Sequence, residues 1–239
     1  MDSLTKGRRG LLLLLVTIWG MRLTLHLIVR KAEEGWKEDA RYPDNVLILA
    51  RGEANPLVFH LVSLLQVFVL QSCWMFLIAQ PLLVVFAHSN SGDGSTWGSL
   101  RVTDYVACAV WAFGFIFEAG SDLQLMLFKK HRQPGQVCDT GFFRNTRHPN
   151  YFGDFVVWVS FGIMAAPLNV APSLCSLASP VMMFVLLRYV SGVVINDRVQ
   201  AERKPHYRAY ISSTPAFFPW CRSEVAAASP SRDEYETLR

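Results

Sequence analysis

Five apolar stretches, at residues 10–29, 57–87, 105–128, 151–166 and 174–195, alternate with charged blocks at 30–53, 129–147 and 197–239. A bilayer crossing needs about 20 apolar residues in a helix, and most of these stretches meet or approach that length. The second carries Gln66, Gln71, Gln80 and Pro81, and the proline is expected to kink or end it. HSNSGDGSTWGSL, from 88 to 100, reads as a Gly/Ser-rich loop, and Pro167 and Pro172 mark a short turn before the fifth stretch. The pattern predicts an all-α, polytopic membrane helix bundle with about five to six transmembrane helices. One domain is expected over 1–222, with its core at about 105–220, followed by a polar, disordered tail at 223–239.

The first stretch follows Lys6, Arg8 and Arg9, as a signal peptide would. However, its apolarity continues beyond the leucine run, and no small-residue cleavage site follows. Arg22 and His26 interrupt it, and such residues are costly in lipid, so they are expected to face the protein interior.

Only 18% of the 239 residues are charged, against about 25% in a soluble domain. The net charge of +4 is modest, and its basic clusters adjoin apolar segments. A bilayer is therefore the expected partner and nucleic acid is not. The loop at 129–147 contains Lys129, Lys130, Arg132, Arg144 and Arg147, whereas 88–104 contains only Arg101. This places 129–147, the 30–56 loop and the C-terminus on the cytosolic side. The first span then starts outside, against the charge of Lys6, Arg8 and Arg9. The five cysteines are odd in number and scattered without a CxxC pair, so free thiols are expected, with neither a disulfide framework nor a metal site.

Three blocks carry candidate chemistry. In FEAGSDLQLMLFKK, Glu118 and Asp122 stand four apart on one helix face, and Gln124 lies about half a turn from Asp122. Two carboxylates in a membrane helix need partners: either an arginine of the next loop satisfies them or they form part of a site. In DTGFFRNTRHPNYFGD, Pro149 starts a new helix, with Arg147, His148, Asn150, Tyr151 and Asp154 at its mouth. Residues 147, 150, 151 and 154 share a face if the helix begins at 147. A helix start beside arginines suits an anion, and the bland alternative is a polar helix start at an interface. In SGVVINDRVQAERKPHYRAYISSTPAFFPW, Asp197, Arg198 and Tyr207 suit either a nucleotide or an amphipathic helix capping the bundle.

Taken in order, these blocks and the early WGMRLTLHLIVR resemble the steroid 5-alpha-reductase-like proteins of the branch called domain of unknown function 1295. The resemblance covers about residues 16 to 220, and sterol reductases and isoprenylcysteine methyltransferases belong to the same superfamily. It implies NADPH in a cavity open to the cytosol, a steroid or lipid-like substrate, and the endoplasmic reticulum as location. It implies cofactor binding by Asp122, Lys129, Arg147, His148, Asn150, Tyr151, Asp154, Asp197, Arg198 and Tyr207. Catalytic roles fall to Trp19, Arg22 and Tyr151. The steroid reductases have a His-Tyr-x-x-Arg element where this chain reads Ile18-Trp19-Gly20-Met21-Arg22, so Trp19 stands in place of the tyrosine. Asp154 and Asp197 stand where glutamates are usual.

The activity implied is reduction of the carbon–carbon double bond of an enone. Two alternatives stay open: an S-adenosylmethionine-dependent membrane methyltransferase, and a membrane protein that binds sterol or lipid without turnover.

Overall fold

The computed structural model describes residues 7–33, 35–36, 56–88, 100–166, 171–190, 192–204 and 206–222. The predicted loops at 30–56 and 88–100 lie largely outside these residues, and the predicted 223–239 tail lies wholly outside them. The regular elements among the described residues are all helices: α1 Arg8–Glu33, α2 Pro56–Ser63, α3 Leu70–Ile78, α4 Gln80–His88, α5 Val102–His131, α6 Pro149–Ala165, α7 Ala171–Val185, α8 Val193–Arg203 and α9 Tyr207–Ser213. Two π-helical turns, Leu64–Val69 and Leu186–Val190, join α2 to α3 and extend α7.

Proline punctuates as expected, with one difference. α3 and α4 meet at a 53° bend, with Pro81 in the first turn of α4, where its missing N–H costs no hydrogen bond. Pro172 is not in a turn but in the first turn of α7, for the same reason. Pro149 opens α6.

Three helical spans are long and apolar enough to cross a membrane: Arg8–Glu33, Val102–His131 and Ser176–Arg203. The bent pair α3 and α4 would make a fourth. Large apolar side chains such as Met21, Leu25, Phe76, Ile116 and Val181 are exposed on these helices. Such a surface suits hydrocarbon rather than water.

α5 and α6 make the most extensive helix pairing. They touch backbone to backbone where Gly114 faces Gly153, the close approach that small residues allow in membrane bundles. Leu12 and Leu15 of α1 join Trp111, Val157, Phe161 and Met164 in one core.

Ion pairs define the two ends of the bundle. At one end, buried Arg8 pairs with Asp104 at 2.8 Å and donates to the Met164 carbonyl, while Arg9 donates to the Phe86 carbonyl. Asp104 also accepts the Arg101 N–H at 2.8 Å, which caps the start of α5. At the other end, Lys130 pairs with Glu33 at 3.2 Å. α1 and α5 therefore run parallel, and α6 runs against them. The charge of Arg8 is thus balanced by Asp104.

Candidate functional site

The α5–α6 crossing sets out the first of two polar clusters. Glu118 is one turn beyond Gly114 and lies against Gly153, next to Asp154. From α1, Arg22 reaches both carboxylates: one terminal nitrogen donates to Glu118 Oε1 at 2.6 Å, the other to Asp122 Oδ2 at 2.7 Å. Trp19 Nε1–H donates to Glu118 Oε2 at 3.0 Å, and the Asn150 amide donates to Asp122 Oδ1 at 3.2 Å. His26 lies 3.7 Å from Asp122. The carboxylates are thus satisfied by Arg22 of the first span rather than by an arginine of the loop after α5.

Asp154 lies within electrostatic reach of Glu118, Arg22 and Asp122. Its Oδ1 is buried without a well-formed hydrogen bond, and the donor beside the carboxyl is Trp158 Nε1–H, one turn further along α6 and likewise unpaired. Trp158 packs edge-on against Trp19, with ring centroids 5.8 Å apart. A buried carboxylate oxygen without a well-formed hydrogen bond is expensive, and either the Trp158 indole N–H or a ligand hydroxyl or amide would satisfy it.

The second cluster is centred on buried Asp197. Arg147 donates to Asp197 Oδ2 at 2.8 Å, while His148 Nε2 and the Tyr207 hydroxyl both meet Oδ1 at 2.8 Å. Arg147 also donates to the carbonyls of Ile211, at 2.8 Å, and Thr214, at 2.5 Å. Its backbone N–H donates to the Pro215 carbonyl. The helix starts at Pro149 rather than at 147, so Arg147 lies outside the face that Asn150 and Asp154 share. It ties the C-terminal segment to the mouth of α6. The Tyr151 ring stacks on His148 at 5.2 Å, beside this cluster rather than the first. Burial first, and Asp197 second, push the Tyr207 hydroxyl above its ordinary value.

The structure therefore gathers Trp19, Arg22, Asp122, Asn150 and Asp154 in one cluster, and Arg147, His148, Asp197 and Tyr207 in another. Lys129 is exposed in the last turn of α5. Arg198 is exposed and pairs with Glu202 at 3.2 Å, so it joins neither cluster. Glu118 is the residue that the expected set lacks. Its spacing from Asp122 was the available signal, since the pair had to share a partner. Gln124 instead clips the chain at Gly141: it donates to the Thr140 carbonyl at 2.8 Å and accepts the Phe142 N–H at 3.0 Å. Gly141 has φ +57°, and any Cβ there would meet the Gln124 amide. Among the described cysteines, Cys73, Cys108, Cys138 and Cys221 are free thiols.

Residues 1–214 match the family described as protein of unknown function DUF1295, and the chain belongs to that family. It is 21% identical to an uncharacterised protein of Schizosaccharomyces pombe over 91% of this chain and 65% of the relative. It is 26% identical to the nickel-cobalt-cadmium resistance protein NccN of Alcaligenes xylosoxydans xylosoxydans over 61% of this chain and 62% of the relative. The chain thus spans under two thirds of the length of either relative. No solved structure matches.

Proposed function

We propose that the protein is a membrane-embedded, NADPH-dependent reductase of a carbon–carbon double bond in a steroid- or lipid-like enone. One observation carries this reading: Trp19 and Arg22 of α1 converge with Glu118, Asp122, Asn150 and Asp154 at the α5–α6 crossing. All but Glu118 coincide with the reductase-like positions of the sequence, and α1 reaches the crossing from more than 90 residues away.

The side chains suit the ribose and nicotinamide end of the cofactor. Asp154 Oδ1 is a buried acceptor without a well-formed hydrogen bond, and the Asn150 amide can serve a carboxamide. NADPH, when bound, supplies hydride. Arg22 commits two N–H donors to the carboxylates and has three more for a substrate carbonyl oxygen.

The bundle fits five crossings: α1, α2 to α4 together, α5, α6, and α7 with its π-turn. The Lys130–Glu33 end then faces the cytosol, as the basic 129–147 loop predicts, and the cofactor cavity opens there.

The test is thermal unfolding of the detergent-purified chain with NADPH, NADH or S-adenosylmethionine. NADPH should raise the unfolding temperature, and Asp154→Ala should remove that rise. A response to S-adenosylmethionine alone would sink the reductase reading. One observation favours a second reading, lipid binding without turnover: the single N–H of Trp19 is already given to Glu118.

A further inference from the structure

A groove of about 420 Å³ lies between the π-turn after α7 and the segment that closes α9. Arg147, Arg188, Ser212, Ser213 and Thr214 line it. The Arg22 cluster contributes nothing to it. Its charge is unbalanced. Arg147 shares Asp197 with His148 and Tyr207, and Arg147 Nε is buried without a hydrogen-bond partner. Arg222 donates to Ser213 Oγ at 3.2 Å and is paired with Asp139 at the same distance. Arg188 has no carboxylate partner among the described residues. Its guanidinium lies over the Tyr189 ring, 5.1 Å from the centroid.

The surroundings locate the groove at a membrane surface. Tyr189 and Trp220, next in sequence to the lining residues Arg188 and Cys221, are both more than half exposed, and amphipathic aromatics of this kind gather at the headgroup level. Planar guanidinium forks flanked by hydroxyls recognise phosphate oxygens.

We propose that this groove is an anion site for a phosphate group, gripped by Arg188, whose guanidinium has no carboxylate partner among the described residues, with the buried Arg147 adding positive charge behind it. The phosphate could belong to an anionic lipid headgroup or to a free phosphate, and the recognising chemistry is the same. The inference is separable from the reductase reading through Arg188, which is not among the residues read as holding NADPH: Arg188→Gln should weaken the phosphate response and leave the NADPH response unchanged.

Thermal unfolding of the full chain is measured in detergent with pyrophosphate, using sodium chloride at matched ionic strength as control. It is also measured in nanodiscs with and without phosphatidic acid in phosphatidylcholine. Stabilisation by pyrophosphate marks a free phosphate as ligand, and stabilisation only by phosphatidic acid marks a lipid headgroup. Either outcome supports the site. Arg188→Gln should weaken the apparent affinity about tenfold or more, the loss expected for a charge-assisted hydrogen bond. Ser212→Asp, at an exposed position that does not endanger folding, should do the same by repulsion. The proposal fails if neither probe stabilises the wild type, or if both variants respond as the wild type does.

Discussion

Gly153 of α6 lies so close to Glu118 of α5 that a Cβ built on it would stand 2.5 Å from the Glu118 backbone nitrogen. That contact brings α6 and α5 together and delivers Asn150 and Asp154 to the Glu118–Asp122 face. Gly114 makes the reciprocal approach, its Cβ position being 2.8 Å from the Gly153 carbonyl oxygen. Gly153→Ala should therefore destabilise the chain by about 1–3 kcal/mol, as overpacking does, and weaken NADPH stabilisation with it. Gly20→Ala is the control, because nothing lies within 4 Å of its Cβ position. Thermal unfolding in detergent reads both. If Gly153→Ala unfolds no earlier than Gly20→Ala, the helix crossing is not what holds the site together.

Arg22 serves two buried carboxylates at once, so removing it leaves both without their cation. Arg22→Ala should cost about 3–5 kcal/mol, the usual loss on breaking a buried pair. Arg22→Lys should recover only part of this, since a point charge cannot span Glu118 and Asp122 as a fork does. The comparison of the two melting temperatures decides it. Equal melting of Arg22→Lys and the wild type would show that geometry does not matter here.

The helices were legible because apolar runs of bilayer length have few alternative structures. The position of Arg22 was legible too, since a charged residue within a membrane span has to turn inward. The two-cluster arrangement was not. Arg147 and Asn150 sit three residues apart, and whether they share a face depends on where the helix begins. Pro149 starts it after Arg147, and that one boundary sends Arg147 to Asp197 instead of Asp122. The partner of Glu118 was equally hidden, because Arg22 and Trp19 lie about a hundred positions away and pattern alone cannot pair them. The partner of Arg8 was hidden in the same way. A long-range ion pair with Asp104 neutralises Arg8.

Asp197 accepts from Arg147, His148 and Tyr207, so the three bonds should be coupled. Tyr207→Phe deletes one neutral donor and should cost about 1 kcal/mol. Asp197→Asn removes the charge that all three share and should cost several-fold more, about 3–5 kcal/mol. In the Asp197→Asn background, the further change Tyr207→Phe should then cost little. A double-mutant cycle by chemical or thermal unfolding measures this, and strict additivity would count against a single hub.

Lys204 and Cys138 predict opposite pH dependences at the same end of the bundle. Burial first, then Arg132 and Lys129, lower the Lys204 ammonium from 10.5 to about 8. Its contribution to stability is therefore fully present above 10.5 and lost as pH falls through about 8. Burial first, and the Asp139 charge, push the Cys138 thiol up from 9.0 to about 11. That contribution is present below 9.0 and lost as pH rises through about 11. Stability should therefore climb from about pH 8 to 9, where Lys204 acts alone. Between 9.0 and 10.5 the two effects oppose each other and the curve should flatten. Lys204→Gln should abolish the climb and raise stability at neutral pH, because no charge is then buried. Cys138→Ala should let the climb continue to about 10.0, above which the raised Tyr207 and Tyr210 hydroxyls oppose Lys204. Unfolding midpoints measured across this range for the three proteins test both signs, and a climb that survives in Lys204→Gln would assign it to another group.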